Sequence, residues 1–202
     1  MNQKVVVFDF DRTITSTDTT KILLFSLLLF RPYLLHSIIK LFRDKNTGVM
    51  QFQIRKNKVI EKLINGCSIN RLHRRLIIYR FITKITFRKN IISLIKNYCE
   101  QNYKVIIATA SPVFALQGLF GKHISVIGTE FKTVNRKYCL DFDTKACYGD
   151  NKANMIIKHI ETNGYDSIEY AYSDDLSDKP LFDLANNAYL VTKNGFENID
   201  QK

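Results

Sequence analysis

Five short stretches of this chain are predominantly apolar, at residues 4–9, 104–108, 124–128, 168–172 and 187–191. Compact apolar runs of this length predict strands, and Val5-Val6-Val7-Phe8 has the unbroken character of a strand buried on both faces. Between the runs the pattern changes to helical spacing. A long helix-rich stretch is expected from about 17 to 101, a helix near 112–120, and another near 150–163 that Asn163-Gly164 brings to an end. A short helix with Pro180 in its first turn separates the last two strands. Residues 130–142 read as a hairpin, with Phe131 to Val134 and Tyr138 to Leu140 flanking Asn135, Arg136 and Lys137. Strand–helix alternation of this kind implies an α/β fold, a three-layer, mainly parallel, Rossmann-like sheet. The polar tail after Lys193 is expected to fray.

Two of the strands run into carboxylates. Asp9 and Asp11 follow the first apolar run, within Asp9-Phe10-Asp11-Arg12-Thr13. Side chains two apart on an extended segment point the same way. Both acids are thus delivered to the carboxyl edge of the sheet, where open α/β folds bind ligands. Acids this close repel each other, and a divalent cation that accepts oxygen ligands, Mg²⁺, would compensate. Taken alone, Asp-x-Asp-x-Thr also describes an ordinary turn or helix cap. The rest of the chain adds to it. The strand at 168–172 runs into Ser173, Asp174, Asp175, Leu176, Ser177 and Asp178, the run at 105–108 ends in Thr109, Ala110 and Ser111, and Lys152 opens the helical pattern after Gly149-Asp150. In chain order these segments offer a nucleophile, a hydroxyl, a cation and metal ligands.

With those four motifs in that order, the sequence resembles the haloacid dehalogenase superfamily of phosphohydrolases from Lys4 to about Val191. Within it the chain is similar to the phosphoserine-phosphatase-like branch. Thr109-Ala110-Ser111-Pro112 and Tyr172-Ser173-Asp174 resemble in particular its phosphatidylglycerophosphatase C type members. The resemblance implies a catalytic core of residues 1–14 and 91–202 and a helical cap of residues 15–90 over the strand ends. It also implies the roles. Asp9 attacks phosphorus, Asp11 is general acid and base, and Lys152 neutralises Asp9. Thr109, with the N–H groups of Ala110 and Ser111, holds phosphate oxygens. Mg²⁺ lies among Asp9, the Asp11 backbone carbonyl and Asp174, supported by Asp178. Thr13 and Asp18 fall on the substrate side; Asp18 matches an acid that contacts substrate in phosphoserine phosphatases, and equally suits a helix N-terminus. Asp175 competes with Asp174 for the metal, and Ser111 alternatively caps the helix that follows. Two departures bear on selectivity: Arg12 stands where related proteins carry a small residue, often glycine, and Ser173 and Asp175 stand where the phosphoserine-type motif carries glycines.

Composition changes this picture in one region. A chain of 202 residues, 46% hydrophobic, can bury one catalytic core with an inserted element. Cys67, Cys99, Cys139 and Cys147 have no metal-ligand spacing, and a catalytic-looking strand starts at Lys4 where a secretory signal would stand. A cytoplasmic protein with reduced thiols is expected. His36, His73, His123 and His159 are scattered and read as surface or packing residues. The net charge is +11, yet Lys21 to Lys89 carries 16 Lys and Arg against two acids, Asp44 and Glu61, so the remainder is net acidic. The same region opens with two apolar runs, 22–30 and 34–42, interrupted by Arg31-Pro32 and His36. A membrane span needs about 20 unbroken apolar residues. Two readings stay open, a helix buried within the cap, or an interfacial helix whose apolar face enters a bilayer while its cations meet anionic headgroups.

Three function classes follow. The first is a Mg²⁺-dependent phosphomonoesterase working through an aspartyl-phosphate on an anionic phospholipid phosphate, such as phosphatidylglycerophosphate, at a membrane surface. The second is a soluble small-metabolite phosphatase of phosphoserine type. The third is a non-catalytic module whose basic cap holds nucleic acid or another anion; it ranks last because every catalytic element is present.

Overall fold

The computed structural model describes residues 3–43, 48–141, 144–193 and 195–199. The apolar runs become β1 (Val5–Asp9), β2 (Lys104–Pro112), β3 (Ser125–Thr129), the short pair β4 (Thr133–Val134) and β5 (Lys137–Tyr138), β6 (Ile168–Ser173), β7 (Ala185–Val191) and β8 (Phe196–Asn198). The main sheet has the order β3-β2-β1-β6-β7-β8, parallel throughout except for β8 at its edge. Among the described residues, five helices follow β1 before the helix that leads into β2: α1 (Thr20–Leu28), α2 (Leu35–Arg43), α3 (Val49–Ile64), α4 (Ile69–Arg75) and α5 (Ile77–Ile85). After them come α6 (Lys89–Glu100), α7 (Val113–Leu116), α8 (Asp150–Asn163) and α9 (Lys179–Phe182).

Alternation along β1 explains the three layers. Val6 and Phe8 join one core with Ile91, Ile95 and Tyr98 of α6. Val5 and Val7 join the other, with Ile156 of α8 and Leu181 and Phe182 of α9. Every β1 side chain from Val5 to Phe8 is fully buried, as a central parallel strand requires. On the α6 face Phe8 stacks on Tyr172 at 4.7 Å and Tyr172 on Tyr189 at 5.1 Å, while the Tyr98 and Tyr172 hydroxyls pair at 2.7 Å. Their polar ends thus stay satisfied inside an apolar layer.

The helical layer is held together by α1 against α3 and α5, α2 against α3, and α4 against α5. Leu23, Leu24 and Leu27 of α1 are buried, while Phe25 and Leu29 face solvent. No helix among the described residues is long and apolar enough to cross a membrane.

Several elements differ from expectation. The helix expected at 112–120 is a single turn, α7, because β2 runs on to Pro112 and the chain turns at Gly118 with φ +81°. The hairpin is shorter than expected and turns through Asn135 and Arg136, both at positive φ, a two-residue turn whose twist suits antiparallel strands. Its expected far end at residue 142 lies outside the described residues, as does Asp44. The tail does not fray at Lys193. It returns as β8, held by Thr192 N–H to Gly195 O at 2.9 Å and by Phe196 edge-on to Tyr172. Finally, β2 and β3 approach closely at Gly128, where a β-carbon would come within 2.8 Å of the Ser111 carbonyl and 3.2 Å of Thr109 Cγ2.

Candidate active site

Asp9 is the last residue of β1 and, by strand alternation from Val5 and Val7, faces α8. Gly149, at φ +56°, starts that helix, and its third residue is Lys152. Lys152 Nζ donates to Asp9 Oδ1 at 2.9 Å and to Asp178 Oδ2 at 2.8 Å. Ser173 Oγ, at the end of β6, donates to the same Asp178 oxygen at 2.7 Å. All four side chains are buried. Burial pushes Asp9 up to about 7, against the pull of Lys152 and with Asp178 adding to the rise. Burial also pulls Lys152 down, but its two carboxylates more than offset this and hold the ammonium above its ordinary range.

Past Asp9 the backbone makes one tight turn, Phe10 to Ile14, closed by Thr15 N–H to Phe10 O at 3.1 Å. Arg12 sits in the left-handed region at φ 60°. Few side chains other than glycine adopt that conformation cheaply. The Arg12 side chain is largely exposed, and its Nε lies 3.5 Å from Asp174 Oδ2.

Asp11 is held on both sides. Its Oδ1 accepts from Thr19 N–H and Thr19 Oγ1, both at 2.7 Å, and its Oδ2 from Ser111 Oγ at 2.7 Å. Thr19 Oγ1 in turn lies 3.1 Å from the Tyr79 hydroxyl of α5. Burial raises the Asp11 carboxyl, Asp18 adds to the rise, and the hydrogen bonds from Thr19 and Ser111 oppose it. Ser111 therefore does not cap the following helix; Pro112 occupies that position and the hydroxyl is turned to Asp11. Asp18 Oδ1 accepts from Thr20 N–H at 2.8 Å at the start of α1 while also lining the cleft.

The cleft between these elements is lined by Asp9, Asp11, Thr109, Lys152, Asp174 and Asp178, among others. Ala110 and Asp18 line it too. Thr109 Oγ1 accepts from Ser111 N–H at 3.0 Å, leaving its own proton to donate. Thr13 and Ser111 stand behind the wall. Thr13, fully buried, accepts from Asp174 N–H at 2.9 Å and lies 3.4 Å from Asp174 Oδ1, so it orients that acid rather than a ligand. Asp175 Oδ1 accepts from Ser177 N–H at 2.8 Å, starting the turn that carries Asp178.

The sequence reading missed Lys56. It lies on α3, is buried, and reaches into the cleft with Nζ donating to Ala110 O at 3.1 Å. Burial lowers it, with Asp11 and Asp18 pulling the other way. One lysine among many in a basic helix carries no signal of its own; only the inward turn of the helix singles it out. Thr19 was missed because it acts through a neighbour's carboxylate, and Ser173 was read only as a departure from the phosphoserine-type motif, not as a donor to Asp178.

The donor set suits Mg²⁺. Asp9 and Asp174 both line one cleft and offer hard carboxylate oxygens there. The described residues hold no group of three or more His, Cys, Asp or Glu arranged to take a metal ion. Mg²⁺ characteristically takes only one or two carboxylates and fills its shell with water and phosphate oxygens.

A model of the haloacid dehalogenase-like hydrolase family matches residues 6–183. The chain belongs to that family. Among solved structures, this hydrolase is similar to a protein of unknown function from Bordetella pertussis Tohama I, at 12% identity and TM-score 0.72, covering 93% of this chain and 89% of that one. It is also similar to a phospho-aspartyl intermediate analogue of phosphoserine phosphatase, at 15% identity and TM-score 0.57, covering 93% and 86%. A substrate-bound phosphoserine phosphatase complex matches at 14% and 0.59, covering 93% and 85%. At such identities these likenesses speak for the fold. No curated protein matches the sequence.

Proposed function

We propose that this hydrolase is a Mg²⁺-dependent phosphomonoesterase that forms an aspartyl-phosphate on Asp9. The observation that carries the reading is Lys152, buried between Asp9 and Asp178 in a cleft that also holds Thr109 and Asp174. An anionic nucleophile and an anionic ester about 4 Å apart repel by roughly 4 kcal/mol per charge pair at an effective dielectric near 20. Lys152 offsets part of that and keeps Asp9 aligned. Thr109 Oγ1 and backbone N–H groups of the 110–111 segment would bind the phosphoryl oxygens. Asp9 attacks phosphorus in line, the ester bond breaks, and Asp11 gives its proton to the leaving alkoxide. A water then attacks the aspartyl-phosphate, Asp11 takes its proton, and inorganic phosphate leaves with Asp9 restored. Asp11's raised carboxyl and three hydrogen bonds suit that shuttle. Asp9, the Asp11 carbonyl and Asp174 would hold Mg²⁺, which supplies positive charge to the transferring group. Asp174 is preferred to Asp175 because Thr13 aims it into the cleft while Asp175 is engaged at a turn.

The helices of residues 15–90 are read as a cap over this chemistry. The cleft has about 90 Å³ of free space. A water needs about 10–15 Å³ by this measure, so there is room for a phosphoryl group and a hydrated ion. The alcohol must project outward past Lys56 and Asp18. An anionic phospholipid phosphate such as phosphatidylglycerophosphate, offered at a membrane surface, fits the basic helices around that mouth. The opposed charges of Lys56 and Asp18 favour a second reading, a small zwitterionic ester of phosphoserine type. A Mg²⁺-dependent phosphate-release screen over lipid and soluble monoesters separates them, with Asp9→Asn as control. Release by Asp9→Asn at the wild-type rate would end both.

A further inference from the structure

Helix α5 is built inside out. Its buried side carries Tyr79, Arg80 and Thr83, while Ile77, Ile78, Phe81, Ile82 and Ile85 face solvent. Ile77, Phe81 and Ile85 are exposed by 68, 67 and 70%. A surface helix normally turns its apolar stripe to the core. Here the inward side is held by polar contacts, Arg80 Nη1 donating to His73 O at 2.8 Å and Nη2 to Phe114 O at 3.2 Å, while five large apolar side chains stand in water. An apolar face of that size is unfavourable in water unless something covers it. Helix α1, packed against α5, adds the exposed Phe25 and Leu29.

Charge identifies what covers it. Residues 62–99 hold nine Lys and Arg and not one acid. A groove of about 370 Å³ runs beside α5, lined by Ile77 and Phe81 together with His73, Arg74 and Lys84. Cations and large apolar side chains thus share one surface, the composition that seats at the headgroup–acyl boundary of an anionic bilayer. A second copy of this chain would set like charge against like. Nucleic acid would leave the isoleucines in water.

We propose that the outer face of α5 docks on an anionic phospholipid bilayer, with Ile78, Phe81 and Ile85 entering the acyl boundary and Arg74 and Lys84 lying among the headgroup phosphates. The docking face extends the membrane-surface part of the proposed function and rests on none of its chemistry.

The test is flotation of the full chain with vesicles of phosphatidylcholine alone, and with about a third phosphatidylglycerol. Wild type should float with the anionic vesicles only. Phe81→Ser with Ile85→Ser should cut the bound fraction at least about tenfold while leaving the thermal melt and the hydrolysis of a soluble ester unchanged. Arg74→Glu with Lys84→Glu should remove the preference for phosphatidylglycerol. Asp9→Asn should float like wild type, so failure of the catalytic reading and failure of the docking face are separable. Wild type that stays with neither vesicle overturns the proposal, as does a serine variant that binds like wild type. So does a dimer in light scattering that the serine variant dissolves.

Discussion

Ser111 donates a 2.7 Å hydrogen bond to Oδ2 of Asp11 across 100 residues of sequence. Together with Thr19 on the other oxygen, it ties the proposed proton donor to both β2 and the first helix of the helical layer. The bond also opposes the upward pull of burial on that carboxyl. Ser111→Ala should therefore raise the Asp11 pKa further. The alkaline limb of the kcat–pH profile, where the acid loses its proton, should move to higher pH, and kcat should fall by about 10²-fold or less. An unmoved limb would detach Ser111 from the chemistry.

Lys152→Met leaves Asp9 and Asp178 buried without their shared cation. Breaking a buried charge pair from one side costs about 3–5 kcal/mol. The loss should be fullest near neutral pH and smaller near about pH 5, where Asp9 can take up a proton instead. Urea unfolding at both pH values measures it.

Metal and pH should be linked through Asp9. Burial holds it up to about 7 in the folded protein, against about 3.9 in an unfolded chain. Ionisation thus costs the folded state alone. The stability that protonated Asp9 confers is full below about pH 4 and is lost as pH rises through about 7. In chelator the Tm should fall across that window. Millimolar Mg²⁺ binds the ionised carboxylate, so it should raise the Tm more at about pH 7.5 than at about pH 5. An equal rise at both would count against this site.

Lys56 should trade stability for activity. Burial lowers its pKa, and among the described residues its ammonium meets the Ala110 carbonyl and forms no ion pair. Lys56→Met should raise stability by about 0.5–2 kcal/mol while weakening turnover of anionic esters. Folded wild type sheds the Lys56 proton before the unfolded chain does, so its own stability recovers as pH rises towards about 10.4. The advantage of methionine should shrink over that alkaline range. Thermal melts at neutral and alkaline pH, paired with phosphate release, test both halves.

The parallel sheet was legible because a buried central strand leaves a run such as Val5 to Phe8 that no surface element imitates. Asp9, Asp174 and Lys152 were legible because strand ends and a helix start fix where such residues point. Thr13 was misread because its hydroxyl turns back to Asp174 instead of forward. The cap alternative for Ser111 fell away because helix-capping preference ignores a carboxylate supplied by another strand. The β8 return escaped notice since three polar residues and Gly195 look like an end of structure. Lys56 and the outward face of α5 were hidden for one reason. Periodicity shows that a helix has two faces but not which of them meets the core, and α5 presents the unexpected one.

The close approach at Gly128 ties a neighbouring strand to the reaction without touching any ligand. Even an alanine methyl there would press on the backbone of Ser111 and on Thr109, shifting the hydroxyl proposed to hold a phosphoryl oxygen and the latch on Asp11 in the same stroke. Changes at a buried, chemically inert position would then masquerade as active-site lesions in any unbiased mutational screen.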